Sequence, residues 1–200
     1  SFAIIGLRFL VDTDFGKNAV DSIEIMSDRL CEYYYKTKKA DWHWFEEIIA
    51  YSNGSLPASL FFAYSVLNEE KYLNVGLETL NFLTKNLFEK GYLKIIGNEG
   101  WWVHGKNKAE FDEQPVDAGS MVFAYKVAKK ITGSSEYDKY LNLSWGWFFG
   151  KNSLNMSLYD NETGGCFDGI TRYGVNENEG SESLISLLGS YIIINNTKNE

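Results

Sequence analysis

Gln114-Pro115-Val116-Asp117-Ala118-Gly119-Ser120-Met121-Val122-Phe123-Ala124-Tyr125 is one of three copies of a phrase: small residues, an apolar turn, then a small residue before Tyr. Leu56-Pro57-Ala58-Ser59-Leu60-Phe61-Phe62-Ala63-Tyr64 precedes it, and Gly180-Ser181-Glu182-Ser183-Leu184-Ile185-Ser186-Leu187-Leu188-Gly189-Ser190-Tyr191 follows. The closing tyrosines stand 61 and 66 residues apart. Phe82-Leu83-Thr84-Lys85-Asn86 likewise returns 66 residues later as Phe148-Phe149-Gly150-Lys151-Asn152. Self-similarity at a fixed period signals a repeat architecture.

Each repeat carries two helical patterns. Pro115 is tolerated in a first helical turn. Val116, Met121, Val122, Tyr125 and Ala128 then follow at helical spacing, and Gly133-Ser134-Ser135 is the stop. A second helix is expected from Glu136 to Phe149, with Gly150 as its C-terminal cap. The first copy predicts helices from Leu56 to Leu67 and from Tyr72 to Leu87, parted by a polar break at Asn68–Glu70. Phe2–Leu10 and Ala19–Lys36 suggest a further pair. Helices joined by short turns form αα-hairpins, so the expected fold is all-α. Long segments at 37–54, 91–113 and 151–179 separate the hairpins, and loops of that length usually carry function. Tyr92–Ile96 and Trp101–Val103, flanking Gly97-Asn98-Glu99-Gly100, suggest a short β-hairpin in the second joint.

The 200 residues suffice for one domain with a real core. Net charge −8 argues against nucleic acid and anionic lipid, which need basic patches. No stretch of 18 apolar residues suggests a membrane span. Phe2–Val11 lacks the basic lead and cleavage site of a signal peptide, so the expectation is cytoplasmic. Cys31 and Cys166 belong to no metal-spacing motif, and no calcium loop, phosphate cradle or nucleophile elbow is present. Neither a metal nor another cofactor is expected.

The joints place carboxylates and amides just before apolar helices. They are Asp41-Trp42-His43-Trp44-Phe45-Glu46-Glu47 to Asn53, Gly97 to Gln114, and Tyr159 to Glu182. Four of the six tryptophans lie in the first two. Aromatic faces match the apolar faces of sugar rings, and carboxylates and amides match their hydroxyls. A cleft of this composition suits a neutral carbohydrate. Asp117 and Glu182 also fit ordinary first-turn helix residues, Trp145 and Trp147 fit core positions, and His43 and His104 have no partner evident in sequence.

Trp42-His43-Trp44-Phe45-Glu46, Leu56-Pro57-Ala58, Gly97-Asn98-Glu99-Gly100-Trp101, Phe111-Asp112-Glu113-Gln114-Pro115, Leu158-Tyr159-Asp160, Thr163–Gly169 and Gly174–Ser183 carry a resemblance. From about residue 15 onward the chain resembles the six-hairpin glycosidase-like (α/α) toroid domains found beside, or fused behind, microbial glycosyltransferases. The resemblance implies an (α/α) barrel and carbohydrate metabolism. It draws attention to Trp44, Glu46, Asn53, Asp112, Gln114, Asp168, Asn176 and Glu182. Ser52 stands where that group has Asp, and Glu113 and Glu179 stand where it has Gln. Six hairpins at this period need roughly 360 residues. The chain is therefore expected to form a single domain over 1–200 that is part of a ring, with apolar edges that favour self-association or an attached partner such as a glycosyltransferase domain.

Two functions compete. A glycoside hydrolase would use paired carboxyls, Glu46 and Glu182 with Asp112 as the alternative member. Trp42, Trp44, Asn53, Trp101, Gln114, Asp168 and Asn176 would bind substrate. A non-catalytic carbohydrate-binding or scaffolding module would need the platform alone. One carboxyl shielded from water beside an ionised one discriminates them. An epimerase, known for this fold type, would want a histidine pair and ranks last.

Overall fold

The computed structural model describes residues 1–197. Seven helices are present: α1 (Phe2–Arg8), α2 (Gly16–Thr37), α3 (Ser55–Leu67), α4 (Glu70–Leu87), α5 (Pro115–Thr132), α6 (Glu136–Trp147) and α7 (Ser181–Thr197). They alternate between two layers. In the inner layer α1, α3, α5 and α7 each pack on the next, while α2, α4 and α6 pack outside, each against its hairpin partner.

Sequence pattern sorts the layers. α2 buries a single stripe of Ala19, Ile23, Ser27, Cys31 and Tyr34, as a helix backed by solvent must. Full burial of a large apolar side chain such as Ile23 contributes on the order of 1.5–3 kcal/mol. α3 buries seven residues on all sides: Ser55, Pro57, Ala58, Ser59, Leu60, Phe61 and Ala63. A helix apolar all round belongs inside. Its neighbour α5 comes close because Gly54 has no side chain, since a Cβ there would lie 2.3 Å from the Ser120 carbonyl oxygen. Left-handed residues end both inner helices as anticipated, Asn68 at φ 53° and Gly133 at φ 72°.

The joints knit into one floor. β1 (Ile48–Ile49) of the first joint pairs antiparallel with β2 (Trp102–Val103) of the second, with Ile48 opposite Val103. β3 (Gly169–Thr171) and β4 (Gly174–Asn176) form a hairpin in the third joint, and Glu113 bridges to Ile170. The β-hairpin expected between Tyr92–Ile96 and Trp101–Val103 does not form. Leu93, Ile95 and Ile96 are buried instead, and the Ile95 N–H donates to the Glu113 carboxylate at 3.3 Å. The Gly97–Glu99 turn pairs with the 109–112 backbone, which leaves Trp102–Val103 free to meet β1.

The inner layer ends in open faces. α7 exposes Ile185, Leu188, Tyr191 and Ile192, and the other edge exposes Phe2 and Phe9.

Candidate functional site

The N-termini of α3, α5 and α7 meet at the floor. Gly54 N–H donates to Ser120 Oγ at 3.2 Å, and Gly119 of α5 lies against Ser186 of α7. A cavity of about 320 Å³ opens here, between the start of α5, the start of α7 and the β3–β4 hairpin. Asp112, Gln114, Asp168, Asn176 and Glu182 all line it, together with Thr171, Ser181 and Ser183. Five sequence-predicted site residues are thus brought together.

The three lining carboxylates differ in what holds them. Asp168 is fully engaged, because Gly180 N–H donates to it at 2.7 Å, Ser183 Oγ donates at 2.6 Å and the Asn178 amide donates to the other oxygen. Burial opposes its ionisation, but these donors outweigh burial and hold the carboxyl below its ordinary value. Asp168 therefore shapes the loop that delivers α7. Neither the Asp112 nor the Glu182 carboxylate accepts a hydrogen bond from a described residue. Glu182 is exposed in the first turn of α7, where the helix dipole favours its negative charge.

Behind Glu182 lies Asp117, only 4% exposed. Asn53 Nδ2 donates to its Oδ1 at 3.3 Å, and the Asn53 and Ser52 backbone N–H groups also reach it. Burial pushes this carboxyl up to about 7, against the pull of those donors, and the neighbouring Glu182 charge pushes the same way. As the sequence suggests, Asp117 lies in the first turn of its own helix, and its carboxyl reaches across to the α3 N-terminus. The available signal was an isolated charge in an otherwise small and apolar helix start.

Other predicted residues lie elsewhere. Trp42 and Trp44 were expected to offer a ring face to a sugar, but each is 1% exposed. Trp42 packs edge-on against both Phe82 and Trp102, with its Nε1 donating to the Glu46 carbonyl at 2.7 Å. Trp44 packs edge-on against Phe45. The core takes these rings because the floor needs a hydrophobic underside, and no aromatic side chain lines the cavity. Asn53 is buried and serves Asp117 and the Ala50 carbonyl. Trp101 is half-buried beside Tyr51 and does not line the cavity. Glu46 is exposed and likewise lies outside the lining. Glu113, which stands where the resembled domains have Gln, is fully buried and accepts from Lys94 Nζ at 2.6 Å, Trp147 Nε1 at 3.2 Å and Ser153 Oγ. Glu179 accepts from Thr163 Oγ1 at the surface. Among the described residues no group of three His, Cys, Asp or Glu side chains is arranged to hold a metal. No described helix is long and apolar enough to cross a membrane.

This two-layer arc of αα-hairpins, with its joints gathered at the inner-helix N-termini, has the fold of the six-hairpin glycosidases. The α-1,6-mannanase GH76A of Salegentibacter sp. HEL1_6 shares it, with a TM-score of 0.58 at 15% sequence identity over 88% of this chain and 54% of the mannanase chain. That structure is of an inactive variant, with neighbouring aspartates changed to Asn, in complex with α-1,6-mannotriose. The present chain spans about half the length of that enzyme chain. No known family signature and no curated protein matches the sequence.

Proposed function

We propose that this chain is a carbohydrate-active domain that binds a neutral oligosaccharide in the cavity at the α5 and α7 N-termini and cleaves a glycosidic bond there. One observation carries the catalytic part. Two carboxylates that accept no hydrogen bond from a described residue, Asp112 and Glu182, line one cavity, with the buried Asp117 behind Glu182. Glu182, ionised at its helix N-terminus, is the base or nucleophile, and Asp112 is the proton donor to the leaving glycosidic oxygen. If Glu182 takes a proton from a water as that water attacks the anomeric carbon, the carbon–oxygen bond breaks with inversion. If Glu182 attacks directly, the outcome is retention. Asp117 acts through Glu182, as a positioning residue. Net charge −8 disfavours an anionic sugar.

One observation favours the alternative, a non-catalytic binding or scaffolding module serving a glycosyltransferase. The related mannanase was inactivated at two neighbouring aspartates, and this sequence contains no such pair. The resemblance supports the glycosyltransferase association. Two free buried thiols agree with a reducing, cytoplasmic setting.

The test is hydrolysis of a panel of neutral oligosaccharides, α-1,6-mannotriose included, by wild type, Glu182→Gln and Asp112→Asn. Turnover lost at least 100-fold in both variants, with binding retained, is the expected result. NMR of the first-formed product anomer then assigns inversion or retention. Binding without turnover in the wild type would replace the hydrolase with the module.

A further inference from the structure

A second concavity, of about 520 Å³, shares no lining residue with the first. It runs along the outer face of α4, where Glu78, Asn81, Phe82 and Lys85 project at helical spacing, and is closed by the turn that carries Ala40, Asp41 and His43.

His43 forms its flat wall. The imidazole lies parallel to Phe82, with centroids 6.0 Å apart and planes at 22°. Phe82 in turn stacks on Trp102 at 5.7 Å and 10°. Phe82 and the adjoining Trp42 are buried, so His43 is the outward member of a stacked column. The ring is also pinned at both nitrogens, with Nδ1 2.9 Å from Glu78 Oε1 and Nε2 3.3 Å from the Ala40 carbonyl. A plate fixed in this way loses little freedom when a ligand covers it.

The charges of the groove are largely answered within the protein. Glu78 is paired with Lys38 as well as His43, and Asp41 faces His104 Nε2 at 3.3 Å. Open hydrogen-bonding groups remain. Neither the Asn81 amide nor the Lys85 ammonium makes a hydrogen bond or ion pair with another described side chain. Asn86 donates its Nδ2 to the Phe82 carbonyl at 2.8 Å and keeps its side-chain oxygen Oδ1. A flat ring bordered by amides and an ammonium, with carboxylates already paired, fits a neutral hydroxylated ring.

We propose that this groove is a second saccharide-binding site, in which a sugar ring lies on His43 and is held by Asn81, Lys85 and Asn86. The inference rests on the carbohydrate reading of the domain, but not on catalysis.

The test is a titration of labelled protein with α-1,6-mannotriose and with maltotriose, followed by NMR at the His43 ring and the Asn81 side-chain amide. With at least one sugar, both signals should shift and saturate. The response should persist in the Glu182→Gln/Asp112→Asn double variant. It should weaken at least tenfold in Asn81→Ala/Lys85→Ala, whose replaced side chains are exposed and leave folding intact. His43→Ala should weaken it further. Shifts confined to residues around Glu182 would overturn this site and leave the first standing. Shifts confined to the groove would support this site and remove the first. With neither sugar producing shifts anywhere, both sites fall.

Discussion

Glu113 and Asp117 flank one turn of chain and both are buried, yet they are held in opposite ways. Glu113 is surrounded by donors from separate segments: Lys94, the Ile95 N–H, Trp147 and Ser153. Glu113→Gln leaves the Lys94 ammonium without its counter-charge in a largely covered position, and a cost of about 2 kcal/mol is expected in urea unfolding. Glu113→Ala should cost more, because the other donors are orphaned as well. Asp117 has the reverse problem, a carboxyl raised from 3.8 to about 7 mainly by burial. Between those two pH values the unfolded chain gives up a proton that the folded chain keeps. This group's stabilising contribution is therefore full below pH 3.8 and is lost as pH rises through about 7. Asp117→Asn should remove that slope and raise stability at pH 8 by a few kcal/mol, read from urea midpoints between pH 4 and 8. Sequence could not separate these two residues. Burial and donors arrive from segments far along the chain, and neither leaves a local mark. The gathering of Asp112, Gln114, Asp168, Asn176 and Glu182 around one cavity was legible, because they occur where the joints run into inner helices.

At the scale of elements, the hairpins were readable and the joints were not. Pro115, the apolar spacing after it and Gly133 delimit α5 as expected, and α3 begins one residue before the expected Leu56. These helices announce themselves through local periodicity and punctuation. The strands do not, because β1 is two residues long and its partner lies in another joint. Trp42 and Trp44 show the same limit, since alternation along the chain does not tell a cavity wall from the underside of a floor. The approach of α3 to α5 is the contact most sensitive to a single atom. In Gly54→Ala the new Cβ meets the Ser120 backbone, which cannot swing aside. Overpacking of this kind costs about 1–3 kcal/mol, so Tm should fall by about 5 °C in a calorimetric scan. The change also pushes apart the segments that embrace Asp117, so the pH slope described above should flatten with it.

The whole molecule is an arc with two apolar edges. Ile185 is 69% exposed and Ile192 is 59% exposed on α7, and Phe2 and Phe9 stand out at the other end. Contiguous exposed apolar surface of this kind marks an interaction face. At high concentration the chain should sediment above its 22.8 kDa mass. Ile185→Lys/Ile192→Lys should bring it back towards that mass with Tm unchanged, because these side chains are not buried in the fold. The cavity rests against the first turn of α7, so the same edge borders the candidate site. The joints also contain their own optical reporter. Trp42 and Trp102 hold their indoles 4.8 Å apart and near perpendicular, at 79°, with the Lys108 ammonium over the second ring. Two chromophores so close and so crossed couple as oscillators and give a paired near-ultraviolet circular-dichroism band. That band belongs to the floor alone. Its loss while the far-ultraviolet helix signal persists would record the joints parting before the hairpins melt, and a sugar settling on His43 would perturb it through Phe82.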